Sequence, residues 1–149
     1  MESVRSPGLH DRDVAGYRMS FQPRKADLVR MVSLDPHLVA IYQALLVTMP
    51  VALVCAHRGE AEQHEAFLSG ASKRDWPNSK HNSVPSRAMD LAPLPLLYKA
   101  PTFDWGFMAG VIWRAAEDLG IPIIGGWDWN RNLTSSDEHF ADLAHVELA

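Results

Sequence analysis

Between residues 38 and 49 apolar side chains recur at helical spacing: Leu38, Ile41, Tyr42, Leu45, Leu46 and Met49 share one face. Asp35 and Pro36 stand just before them. An aspartate there caps free N–H groups and a proline suits the first helical position, so the pattern predicts a helix from Pro36 that Pro50 ends. The continuous apolar run Val51 to Ala56 predicts a buried strand, with Cys55 in it as a small buried hydrophobe. Glu60 to Ser69 predicts a short helix with Gly70 as its stop, and residues 71–85 read as loop. Arg87 to Leu91 predicts a strand. After the proline-rich stretch 93–101, Thr102 is placed to cap a long helix ending at Leu119, with Phe103, Phe107, Val111, Ala115 and Leu119 as its packing stripe. Ile121 to Ile124 and Leu143 to Leu148 are the last expected strands. Residues 1–22 show no clear period and read as an N-terminal arm ahead of a domain over 23–149. Helices and strands are interspersed without regular alternation, which predicts an α+β fold.

Composition narrows the functional classes. The 149 residues suit one domain that needs no disulfide or structural metal merely to fold, and 47% hydrophobic content is too high for a disordered chain. One Cys excludes an internal disulfide. No apolar run is long enough for a membrane span, and Met1 to Phe21 lacks the apolar core of a secretory signal. A net charge of −4 without a basic stripe argues against nucleic acid and against stable membrane association.

Most of the seven His residues (His10, His37, His57, His64, His81, His139 and His145) fall in helices, loops or the polar lead-in and are expected to be structural. Two stretches differ: residues 79–90, with His81 and Asp90, and residues 142–148, with Asp142 and His145. Two neutral imidazoles and one carboxylate make a three-ligand set for catalytic zinc with a position open for water. The alternative is a loop histidine and a buried strand histidine without metal. Trp127 and Trp129 alternate, so an extended segment would put both on one side, either walling a groove or packing in the core. Cys55 has no local base and is not a candidate nucleophile.

The pattern Ser79-x-His81…Ala88-x-Asp90, followed by Asp142-x-x-His145-x-Glu147, resembles the zinc D,D-carboxypeptidase/L-alanyl-D-glutamate peptidase family, phage endolysin branch. Asp35-Pro36-His37-Leu38, Arg58-Gly59-Glu60-Ala61-Glu62-Gln63 and Gly125-Gly126-Trp127-Asp128-Trp129 agree in order, so the likeness runs from about Leu34 to Leu148. Two departures are visible. The His81-to-Asp90 spacing is two residues longer than the commonest form, an excess a loop can absorb. Gly59 replaces the usual hydroxyl residue.

The resemblance implies a hedgehog/DD-peptidase-like domain with a mostly antiparallel sheet flanked by helices. It implies Zn²⁺ on His81, Asp90 and His145, Asp142 as general base, and Arg58 stabilising the oxyanion. It further implies Ser79, Ser86, Gln63, Trp127 and Trp129 at the substrate, and Glu147 orienting a ligand. The implied activity is hydrolysis of the peptidoglycan stem at the L-Ala–D-Glu bond. A D-Ala-D-Ala carboxypeptidase or dipeptidase, or a non-catalytic wall-binding module, are the alternatives. The expected setting is a monomer without a separate wall-binding module, held in the host cytoplasm until a holin opens the way to the wall.

Overall fold

The computed structural model describes residues 21–139 and 141–149. The expected arm lies outside the described residues except for Phe21 and Gln22. The elements in order are α1 (Lys25–Met31), α2 (Pro36–Thr48), β1 (Val51–Cys55), α3 (Glu60–Leu68), β2 (Ala88–Pro93), α4 (Thr102–Leu119), β3 (Ile123–Gly125) and β4 (His145–Leu148). Short 3-10 turns occupy Lys80–Asn82 and Leu97–Lys99. The α+β architecture expected from the sequence is the one found.

The four strands form one antiparallel sheet in the order β1-β2-β4-β3. Alternation along each strand divides its residues between two faces. Met89 and Leu91 of β2 and Val146 and Leu148 of β4 turn into the core with α2 and α4, while Asp90, His145 and Glu147 take the opposite face.

Helix α2 begins as expected: Asp35 accepts from the His37 N–H at 2.9 Å, and Pro36 opens the helix. Its residues Leu38, Ile41, Tyr42, Leu45 and Leu46 are buried. Two expectations need correction, and one helix is new. Thr102 does not cap α4; it is the first helical residue, Pro101 is the N-cap, and no side chain caps this end. The buried face of α4 is Trp105, Met108, Ile112 and Ala116, whereas Phe103 is 80% exposed. Helix α1 was not anticipated, because its buried residue is Asp27 and not an apolar one.

Asp27 and Arg30 explain where α1 sits. Among the described residues strand β1 is an edge, and an uncovered edge leaves backbone groups unpaired. The Leu53 N–H donates to Asp27 Oδ1 at 3.1 Å, and Arg30 Nη1 donates to the Leu53 carbonyl at 3.2 Å. Two side chains of one helix thus replace the missing neighbouring strand at that residue.

Candidate metal centre

Sheet register builds the site. Asp90 of β2 lies opposite Cys55 of β1 and opposite His145 of β4, so three chemically active residues form one row across three strands. A bulge between Leu53 and Cys55 is what turns Cys55 to this face. The sequence placed Cys55 inside the core; it is only half-buried, and its Sγ lies 3.8 Å from His81 Nδ1 and 3.7 Å from Arg58 Nη2.

His81 reaches the row from the 3-10 turn Lys80–Asn82. Ser79 caps that turn, its hydroxyl accepting from the His81 N–H at 3.3 Å. The turn is tied to the segment after β1: the Arg58 N–H donates to the His81 carbonyl at 2.9 Å, and Asn82 Nδ2 donates to the Arg58 carbonyl at 3.0 Å.

His81 Nε2, Asp90 Oδ1 and His145 Nδ1 form a near-equilateral triangle. Its sides are 3.2 Å from His81 to Asp90, 3.3 Å from His81 to His145, and 3.2 Å from His145 to Asp90. Four ligands at about 2.0–2.1 Å around tetrahedral zinc would be spaced by about 3.3 Å along each edge. The outer bonds select the tautomers. His81 Nδ1 donates to the Ala56 carbonyl at 2.7 Å, and His145 Nε2 donates to Glu147 Oε2 at 2.9 Å. Each imidazole then turns a lone pair towards the carboxylate, a donor set that fits a cation. Two wider groupings also bring their donor atoms within 4.8 Å of one another: Cys55, His81 and Asp90, and Asp90, Asp142 and His145.

The electrostatics show the same demand for positive charge. Burial would lower the affinity of His81 for a proton, but Asp90 and Cys55 outweigh it and hold the imidazole up at about 10. Burial likewise opposes a charged His145, and Asp90 and Glu147 raise it. Burial alone would push the Asp90 carboxyl up, yet the bonds from His145 and His81 hold it well below the usual carboxylate range.

Asp142 is half-buried beside this row, and burial together with the Asp90 charge raises its carboxyl. Its backbone is fixed by Gly126, whose carbonyl accepts from the Asp142 N–H at 2.8 Å and whose own N–H donates to the His145 carbonyl at 2.8 Å. A Cβ on Gly126 would fall 2.2 Å from the Asp142 carbonyl oxygen, so only glycine permits this approach.

The cleft over the row is about 490 Å³ and is lined by Arg58, Ser79, Asp90, Trp129, Asp142 and Glu147 among others. A larger groove of about 790 Å³ runs between α2 and α4 but carries no comparable cluster of titratable groups. Arg58 enters the cleft, donating to Gln63 Oε1 at 3.1 Å and to Asp90 Oδ2 at 3.4 Å.

The expected substrate residues separate. Ser79 and Trp129 line the cleft, and the Trp129 ring lies 5.1 Å from the His145 ring. Trp127 does not accompany Trp129: residues 126–127 form a turn rather than an extended strand, and Trp127 packs against the core. Ser86 is fully buried, its hydroxyl donating to the Ala88 carbonyl at 2.8 Å. Gln63 is fully buried too, accepting from Arg58 and Asn82 and donating to Ser72 and to the Arg74 carbonyl. Asn82, not singled out from the sequence, is the partner that joins Gln63 to the His81 turn.

The family described as phage L-alanyl-D-glutamate peptidase matches residues 19–149. No curated protein matches the chain. Among solved structures, the crystal structure of the Serratia marcescens L-Ala D-Glu endopeptidase ChiX is similar, with a TM-score of 0.68 at 19% identity over 92% of this chain and 96% of that one. Matched over nearly its whole length, the chain belongs to the phage L-alanyl-D-glutamate peptidase family.

Proposed function

We propose that this protein is a zinc-dependent endolysin that hydrolyses the peptide stem of bacterial peptidoglycan at the bond between L-Ala and D-Glu. The observation that carries this reading is the triangle of His81 Nε2, Asp90 Oδ1 and His145 Nδ1 at the floor of a cleft that also holds Asp142 and Arg58.

His81, Asp90 and His145 would hold the zinc, which would supply Lewis acidity and make water at the site acidic enough to react at neutral pH. Asp142, raised by burial, takes the proton of the attacking water and passes it to the departing amine. Arg58 holds its guanidinium where negative charge develops on the carbonyl oxygen, and Gln63 fixes that guanidinium. Glu147 fixes the tautomer of His145, and Trp129 walls the cleft beside it. The protein acts as a monomer. It collects in the host cytoplasm and depends on a holin to reach the wall.

Mass spectrometry of wall fragments, with and without a chelator, tests the reading. New D-Glu amines that disappear on chelation support it, whereas released D-Ala points to a carboxypeptidase and overturns the choice of bond. Asp142→Ala should lower hydrolysis by roughly 10²–10⁴ while one zinc per chain stays bound. Hydrolysis unchanged by that substitution would remove Asp142 from the chemistry.

A further inference from the structure

A second cavity of about 400 Å³ adjoins the cleft and shares Arg74, Ser79, Lys80 and Glu147 with it. Its charged lining is Arg74, Lys80 and Arg87 against Glu147 alone. This cationic wall stands out in a chain whose net charge is −4. The acid of this lining, Glu147, accepts from His145 Nε2 at 2.9 Å through Oε2, and its charge also acts on Arg74 and Lys80, leaving three cations to one carboxylate.

Two of the three cations are anchored. Lys80 Nζ donates to the Leu148 carbonyl at 3.2 Å and Arg87 Nη2 to the Ala149 carbonyl at 3.4 Å. The Lys80 bond goes to a neutral carbonyl, which holds the ammonium without removing its charge. Arg74 is exposed, and its backbone is pinned by Gln63 and Ser72. Glutamate has two carboxyl groups; linking one of them onward in a peptide leaves the other ionised. A substrate with glutamate at the cleavage point therefore brings a negative charge close to the reacting bond.

We propose that this adjoining cavity is a carboxylate subsite, in which Arg74, with Lys80 and Arg87 behind it, reads an ionised carboxylate of an acidic peptide lying across the cleft. The proposal rests on the peptidase reading for the identity of the peptide. Arg74 is a specificity residue and takes no part in the proton transfers.

The test uses two stem peptides, identical except that the free glutamate carboxyl of one is a primary amide in the other. Each is made in a cleavable form and with a ketomethylene isostere of the Ala–Glu amide, which binds without being cut. The zinc-loaded protein should bind the acid isostere about tenfold more tightly than the amide isostere, as expected for one partly exposed charge-assisted contact. Arg74→Gln should abolish that preference by weakening the acid form alone, and Arg74→Lys should restore part of it. With the cleavable peptides, the change should fall on KM and leave kcat in place. Equal binding of acid and amide by the unsubstituted protein, or an equal loss for both in Arg74→Gln, overturns the subsite. If neither peptide is cut but calorimetry still discriminates the isosteres, the subsite stands and the peptidase reading fails.

Discussion

At the scale of single residues, the question is which donors would hold the proposed metal. Two groupings compete around Asp90, one reaching to Cys55 and one to His145. The short triangle favours His81, Asp90 and His145, because the Cys55 thiol faces His81 Nδ1, the nitrogen already turned to the Ala56 carbonyl. Cys55→Ala should therefore keep one metal per chain, and the cobalt-substituted protein should lack a sulfur-to-metal charge-transfer band. A band that vanishes in Cys55→Ala would place the thiol on the metal. Glu147→Gln tests the outer bond. Loss of the carboxylate that accepts from His145 Nε2 should weaken metal binding by roughly 10–100-fold with the fold intact. Competitive titration against a chromophoric chelator measures it, and an unchanged affinity would leave Glu147 without that task. The sequence exposed the imidazoles and carboxylates because their residue types and order are distinctive. It could not expose Asn82 or the turn of Cys55 to the site face, since one is a common loop residue and the other depends on a bulge that residue pattern does not announce.

At the scale of elements, α1 turns on a buried charge. Asp27 is fully buried, pairs with Arg24 at 2.7 Å and accepts the Leu53 N–H of the edge strand. Asp27→Ala strands that N–H and leaves the part-exposed Arg24 guanidinium to solvent, and should cost about 1–3 kcal/mol of stability. Burial pushes the Asp27 carboxyl up, but the hydrogen bonds from Arg24 and Leu53 outweigh it and leave it lowered. A carboxyl lowered on folding stabilises the native state fully above its unfolded value of about 3.9, and this stability is lost as pH falls through the lower native value. Urea unfolding from pH 7 down to 3 should show the gap between the unsubstituted chain and Asp27→Ala narrowing only below about pH 4. A gap independent of pH would show that the carboxylate charge contributes nothing. This helix was illegible because apolar periodicity cannot signal a helix held by a carboxylate. Helix α4 was legible in extent but not in orientation. It carries large apolar residues on two faces, and the sequence stripe through Phe107, Val111 and Leu119 belongs to the groove against α2 while Trp105, Met108 and Ile112 take the core.

At the scale of the whole molecule, core and centre are separate layers. The buried apolar cluster runs through α2, α4 and one face of the sheet, from Leu34 to Leu148, while Asp90 and His145 pair with each other on the opposite face. The ordered motifs made the overall architecture legible, because each proposed ligand sits at a strand or turn that the core independently fixes in register. That separation predicts how metal removal acts. The chelated protein should keep its secondary structure, since no element depends on the metal to bury its apolar face. Metal binding only to the native state should add about 3–4 kcal/mol at 100–1,000 times the dissociation constant. For a chain of this size that corresponds to a melting shift of roughly 10 °C. Circular dichroism should therefore give one far-ultraviolet spectrum with and without chelator, a melting curve displaced downward on chelation, and full recovery of both melting point and wall hydrolysis when zinc is restored. A chelated chain that has lost its helical signal at 25 °C would instead make the metal part of the fold, and the independence of the two layers would be wrong.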